Sequence, residues 1–282
     1  MLGRIAPAAA LAAVLAVGAA APARAEDPAP AYPSSMAALG DSITRGFNAC
    51  GWFFDCTARS WSTGDSDRVN GHYHRLTTLN PGLEGNRHNN AETGANSADL
   101  VAQAFDAVEQ RVDYVTVLIG ANDACADTEA GMTSAIQYRT NVSAALDAIK
   151  EGLPDARVFI ASIPDVYRVW EAGKDNPDAR NTWELAGICQ SLLADPLSTD
   201  AAAEQRRANV RQRVVDYNTA ASELCAAYGP NCSYDGNAVF GTQLTADDIS
   251  AWDFFHPNVE GQARIAEVTF AAAFGTEPSP ST

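Results

Sequence analysis

The run Tyr114-Val115-Thr116-Val117-Leu118-Ile119 constrains the fold more than any other stretch of the chain. Its apolar and β-branched residues occupy consecutive positions, not alternate ones. A strand of that kind is buried on both faces, which belongs to parallel sheets covered by helices on each side. Two further short runs, 36–39 and 157–163, have the same character. Stretches of helical spacing separate the runs. Residues 97–112 carry Leu100, Val101, Ala104, Phe105 and Val108 as one apolar stripe. Residues 134–152 point Ile136, Val142, Leu146 and Ile149 inward, and 199–228 do so with Val210, Val214, Tyr217, Ala221 and Leu224. A last helix follows Pro257, a suitable first-turn residue. Residues 165–196 read as loop and 237–240 as a short strand. Strands alternating with helices predict one α/β domain over 36–274, with a parallel sheet covered on both faces and no internal repeat.

The ends of the chain have a different composition. Residues 1–25 have the form of a secretory signal: Arg4, an alanine-rich apolar stretch, then Ala23-Arg24-Ala25. Residues 26–35, rich in Pro and Ala, read as a loose lead-in, and 275–282 as a frayed tail. Cleavage after Ala25 leaves 17 basic and 35 acidic residues, a charge of −18. That balance argues against a nucleic-acid partner, which needs a basic face. It also argues against tight electrostatic docking on an anionic membrane. No later stretch reaches the length of a membrane span, so an exported, extracellular protein is expected. Its six cysteines suit that compartment. Six cysteines permit fifteen pairings. The two close pairs, Cys50–Cys56 and Cys225–Cys232, leave Cys125–Cys189 as the third, and that is the expected set. No Cys-x-x-Cys pair supports a zinc site.

Chemistry concentrates where strands end. Met36 to Leu39 runs into Gly40-Asp41-Ser42. A turn and helix cap would account for those three residues alone. A serine between a strand and a helix also has its Oγ lifted clear of the sheet, beside free N–H groups that can hold an oxyanion. Ser42, Gly94 and Asn122 each follow an expected strand, and such positions converge on one crevice in an open α/β sheet. Four histidines are present: His72, His74, His88 and His256. His256 stands three places after Asp253, so the carboxylate can bond one ring nitrogen and leave the other for Ser42. His72 and His74 have the spacing of a strand metal pair but no third ligand, so a surface or hydrogen-bonded role is expected. The segment 65–71 echoes a calcium loop, with its glycine misplaced and Val69 where an oxygen ligand belongs. Trp52, Phe53 and Phe54 lie between Cys50 and Cys56. They form either a substrate-binding lip over the site or the packing of that loop.

Taken together, Gly40-Asp41-Ser42, Gly94, Gly120-Ala121-Asn122-Asp123 and Asp253-Phe254-Phe255-His256 resemble the four signature blocks of the SGNH (GDSL-type) serine hydrolases, in family order. The resemblance covers about 36–274. It implies a flavodoxin-like three-layer α/β/α sandwich and hydrolysis of acyl esters. It implies Ser42 as nucleophile, His256 as base, Asp253 as the residue that orients the base, and an oxyanion hole of the Ser42 and Gly94 amides with the Asn122 side chain. It implies no metal or organic cofactor. The segments 59–64 and 116–120, with Cys125, are similar to the phospholipase B branch and suggest phospholipid or lysophospholipid esters. The Gly-x-Ser-x-Gly elbow of the α/β-hydrolases is absent. A carbohydrate acetyl esterase on the same scaffold is the alternative, because Trp52, Trp61, Trp170 and Trp183 could stack on sugars. A catalytically dead lipid- or glycan-binding protein is the remote one. The expected partners are the ester substrate and, transiently, a lipid surface, with the protein itself a monomer.

Overall fold

The computed structural model describes Gly3 and residues 32–275. The expected signal, most of the lead-in and the tail after Gly275 lie outside the described residues. Five strands form one sheet: β1 (Met36–Gly40), β2 (Arg87–Asn89), β3 (Tyr114–Leu118), β4 (Arg157–Ile160) and β5 (Cys232–Tyr234). Their order is β2-β1-β3-β4-β5, and every pair is parallel. β1 and β3 are buried at every position, as their consecutive apolar residues require. The chain moves outward from β1 to β2, then returns past it to β3. The reversal leaves a switch point between β1 and β3 at the carboxyl edge of the sheet.

Ten helices of four residues or more surround the sheet among the described residues. They are α1 (His72–Leu79), α2 (Leu100–Gln110), α3 (Ala121–Ala124), α4 (Ala135–Gly152), α5 (Tyr167–Gly173), α6 (Pro177–Leu185), α7 (Gln190–Leu193), α8 (Ala201–Tyr228), α9 (Ala238–Gly241) and α10 (Val259–Phe274). α4 packs against both α2 and α8. α1 and α10 meet around His72, whose ring reaches Tyr114 of β3 and Thr269 of α10. Side chains alternate along a strand, so Val115 and Val117 serve the face opposite Tyr114 and Thr116. The architecture is the three-layer α/β/α sandwich. None of the described helices is long and apolar enough to cross a membrane.

Several local expectations differ from the structure. No α-helix follows Ser42. Residues 41–50 form successive turns, broken where Gly46 and Asn48 take φ of 63° and 64°. The fifth strand is Cys232–Tyr234, reached straight from α8 through the Cys225–Cys232 disulfide. Residues 237–240 instead enter α9, because the Asp235 carboxylate accepts from the Asn237 and Val239 amides. The stretch 165–196 holds α5, α6 and α7, with Pro177 at the start of α6 and the Asn176 side chain capping it. Phe105 and Ile136 are exposed, not inward. On α2 the buried stripe runs through Leu100, Gln103, Ala104 and Ala107. Pro257 precedes the N-cap of α10, which is Asn258. Ser34 and Ser35 are held by the Asp113 carboxylate, so that part of the lead-in is anchored. The other two disulfides join Cys50 to Cys56 and Cys125 to Cys189.

Two buried titratable groups oppose each other in the pH dependence of stability. Thr269 Oγ1 donates to Ile265 O, so His72 Nε2 donates to Thr269 and Nδ1 accepts from the Tyr114 hydroxyl. The neutral ring is satisfied, and burial lowers its pKa to about 3. Its contribution is full above the unfolded value of about 6.5 and falls as pH drops below it, by at most about 1.4 kcal/mol per unit. Burial pushes Asp41 up to about 7. That contribution is full below the unfolded value and falls as pH rises toward 7. Asp41→Asn removes the second effect alone. Between pH 4.5 and 6.5 its stability in urea should therefore rise relative to the parent, by on the order of 2 kcal/mol. Parallel profiles would mean that Asp41 is already ionised in the fold.

Candidate active site

The serine is delivered by a backbone contact that only glycine permits. Gly40 has φ of 150°, and a Cβ there would lie 2.2 Å from Leu118 O and 2.7 Å from Thr44 Oγ1. The Gln103 side chain, from α2, accepts from Gly40 N at 2.7 Å and donates to Gly40 O at 2.9 Å. The strand exit is thus held on both its polar groups. Asp41 Oδ1 accepts from the Ile43 amide. Beneath the turn, Trp61 Nε1 donates to Thr44 Oγ1, and Gln262 of α10 bridges Trp61 N and Ile43 O. Ser60, Trp61 and Ser62 are fully buried. The 59–64 segment therefore supports the Ser42 turn from below and does not line a substrate cleft.

His256 and Asp253 arrive on a closed loop. Ile249 and Pro257 form an antiparallel bridge, and Ser250 N donates to His256 O at 2.8 Å. His256 Nε2 lies 2.8 Å from Ser42 Oγ. Its Nδ1 lies 2.5 Å from Asp253 Oδ2. The other carboxylate oxygen, Oδ1, accepts from the Phe255 and His256 amides at 3.0 and 3.1 Å. Phe254, between them, adopts φ of 53°, and its carbonyl accepts from Trp183 Nε1. Phe47 and Phe255 pack edge-on against the imidazole. Asp253 Oδ2 accepts a further bond, from Asn48 Nδ2 at 2.7 Å.

Asn122 is the second residue of α3, just past the end of β3. Its Nδ2 donates to Ala95 O at 2.7 Å, leaving the second amide hydrogen free of that bond. Asp123 accepts from Ser97 N at 2.8 Å and from Ser97 Oγ at 2.6 Å. These bonds tie the 94–97 turn to α3. Gly94 stands on that turn with φ of 89° and open space where a Cβ would be. Burial raises the pKa of the Asp123 carboxyl. Ser42, Asn122 and His256 line one cleft. Its walls are apolar, with Ile43, Ala121, Val166, Val169, Leu244 and Phe255 among them. Gly94 does not itself line the cleft, but its turn is held next to Asn122 through Ser97 and Asp123.

The aromatic alternatives separate clearly. Trp52, Phe53 and Phe54 are 59%, 54% and 47% exposed, so they form an exposed aromatic rim on the Cys50–Cys56 loop and do not pack it. Trp252, next to Asp253, is also exposed and meets Trp52 at 5.1 Å and Phe53 at 6.2 Å between ring centroids. Trp61 and Trp183 are wholly buried and Trp170 nearly so, which removes them as sugar platforms. Sequence reasoning missed Gln103, Asn48, Gln262 and Trp252. For Gln103 the signal was a polar residue on the inward face of α2. The others carry none that local pattern exposes. Among the described residues no group of three or more His, Cys, Asp or Glu could hold a metal ion.

Comparison with known proteins follows the same line. No curated protein sequence matches the chain. Among solved structures, a variant of an acetyl-xylooligosaccharide esterase from a Geobacillus species aligns with TM-score 0.54 at 17% identity, covering 88% of this chain and 97% of that one. A variant of an acetyl xylan esterase from Geobacillus stearothermophilus aligns with TM-score 0.53 at 19% identity, over the same shares. An extracellular lipase from Streptomyces rimosus aligns with TM-score 0.51 at 20% identity, covering 84% and 99%. These likenesses establish a shared fold. The model of the GDSL-like lipase/acylhydrolase family matches residues 38–264, and the chain belongs to that family.

Proposed function

We propose that the chain is a secreted serine esterase that cleaves acyl esters of phospholipids or lysophospholipids through a Ser42-His256-Asp253 triad. The observation that carries this reading is the unbroken chain of hydrogen bonds from Ser42 Oγ through His256 to Asp253, opening on an apolar cleft. Ser42 Oγ attacks the ester carbonyl as His256 Nε2 takes its proton. Asp253 accepts from Nδ1–H, which holds the reactive tautomer and stabilises the imidazolium. The Ser42 and Gly94 amides and the Asn122 side chain receive the oxyanion. His256 then protonates the leaving alcohol. Water, activated by the same imidazole, releases the acid from the acyl-enzyme.

The substrate class rests on the surroundings of the serine. An apolar cleft rewards burial of an acyl chain, at about 0.8 kcal/mol per methylene. Trp52, Phe53, Phe54 and Trp252 offer exposed apolar surface on the loops joined to Asp253 through Asn48 and Trp252. A chain of such negative charge gains little from electrostatic contact with lipid, so apolar contact has to supply the attraction. The second reading, an acetyl esterase acting on carbohydrate, is favoured by the xylan-deacetylating relatives of the same fold. An open Trp52–Trp252 pair could also receive a sugar ring.

Ser42→Ala should leave a folded protein with almost no turnover, and a residual rate within tenfold of the parent would refute the nucleophile. Asn122→Ala should lower kcat by on the order of 10²–10³, the usual loss for one oxyanion donor. A change confined to KM would make Asn122 a substrate-binding residue instead.

The substrate reading is tested with phospholipid, lysophospholipid, triacylglycerol, p-nitrophenyl and acetyl-sugar esters, with products identified. Phe53→Ser combined with Phe54→Ser should weaken action on aggregated phospholipid more than on a soluble short ester. Equal losses on both would assign those rings to the fold. Brisk acetyl-sugar cleavage without phospholipid cleavage would decide for the carbohydrate esterase.

A further inference from the structure

We infer that Asn48 is a positioning residue that holds the Asp253 carboxylate and so ties the Cys50–Cys56 loop to catalysis. This rests on the triad reading above. Asp253 Oδ2 receives two donors, His256 Nδ1 at 2.5 Å and Asn48 Nδ2 at 2.7 Å. With the two amides on Oδ1, four N–H groups fix the carboxylate in plane and in rotation. Three of them belong to the loop that carries Asp253 itself. Asn48 alone comes from another part of the chain, so among the donors to the carboxylate it is the one that ties that loop to the segment after the Ser42 turn.

The position demands asparagine for two separate reasons. Its φ is 64°, a left-handed backbone that glycine, asparagine and aspartate tolerate best. Glycine would satisfy the backbone and remove the donor. Aspartate would set a second carboxylate against the first. Asn48 is 2% exposed, and its Oδ1 meets no donor from the protein. The carboxylate alone therefore dictates which way the amide faces. A purely structural amide would be expected to satisfy both its ends. Local rules broken in this way tend to mark functional positions.

Asn48 is also the pivot of the aromatic rim. Its backbone N–H donates to Phe54 O, and its carbonyl accepts from Gly51 N. The disulfide closes the same loop at Cys50 and Cys56. Trp52, Phe53 and Phe54 thus hang from a residue bonded to the catalytic carboxylate, and Trp252 meets them from the residue next to Asp253. The rim and the triad share one rigid connection.

The experiment uses Asn48→Gly with a soluble short ester. The expected result is a fall in kcat on the order of 10–100-fold, part of what a positioned general base supplies, with KM changed less than about threefold. Labelling of Ser42 by a serine-reactive phosphonate should slow in step. In an Asp253→Asn background the same substitution should change kcat less than about twofold, because its effect passes through the carboxylate. Asn48→Asp keeps the size and the left-handed preference of the residue, and it should show the same loss even if the glycine variant folds poorly. A labelled parent whose Asn48 variants keep kcat within threefold overturns the inference alone. Equal fold-losses with and without the Asp253 carboxylate do the same. A parent in which Ser42 is not labelled overturns the triad reading and the inference with it.

Discussion

The approach of the β1 exit to β3 at Gly40 is the contact on which the site depends. Any side chain there would collide with the carbonyl of Leu118. Because none is present, the two central strands of the sheet stay in register to their carboxyl ends, Gly40 opposite Leu118. Ser42 and Asn122 then leave the sheet side by side, two residues past β1 and four past β3. The switch in strand order at this place opens the cleft between them. A wider separation would put the amide of Asn122 beyond reach of any atom bonded to Ser42.

Around this contact a set of buried polar side chains takes over where sheet hydrogen bonding stops. Strand exits leave backbone groups without ladder partners, and an unpaired buried group is costly. Gln103 satisfies both groups of Gly40. Gln262 satisfies Ile43 and Trp61. Asn218 brackets Ile163 beyond β4 in the same way, accepting from its N–H and donating to its carbonyl. Each amide comes from a helix and binds a strand end or the loop beyond it, so the helical layers hold the catalytic edge and not merely the sheet faces. This arrangement also gives the loops their precision. Apolar packing tolerates small slides, whereas a bidentate amide does not.

Much of this organisation is legible in the sequence, and the reasons for the rest are physical. Continuous apolar runs announce β1, β3 and β4 because burial on both faces leaves no polar positions. β2 and β5, at the two edges, have three residues each and only partial burial, so composition does not mark them. Helix α1 escaped notice because its buried face is His72, Tyr73 and Leu76 in an otherwise polar segment. The apolar stripes of α2 and α4 include Phe105 and Ile136, which the structure leaves exposed, since hydrophobicity alone cannot say where a neighbouring helix ends. The blocks around Ser42, Asn122 and His256 stand out through residue type and order. Gln103 and Asn48 do not, because each acts on a partner 63 or 205 positions away.

The shape of the apolar surface bears on which ester fits. The cleft beside Ser42 is lined by Val169 and Ile249, and both also line an adjoining hollow with Ala172, Ala246, Ala251 and Phe254. Small apolar side chains thus continue past the cleft in one direction. An acyl chain entering with its carbonyl at Ser42 could extend along them, each methylene leaving water as it does so. A pyranose in the same place would bring several hydroxyls. Besides Ser42, Asn122 and His256, the polar lining residues are Asp165, Arg168 and Thr242 in the cleft and Asn176 in the hollow. Asp165 is already paired with Arg211. Hydroxyls left without partners there would cost more than their burial returns. The sugar of an acetyl ester would therefore sit outside the cleft, with only its acetyl group inside. In the lipid reading proposed above a long-chain ester uses the cleft and the hollow at once, whereas an acetyl ester needs the cleft alone, so the two readings differ in how much of this surface the substrate covers.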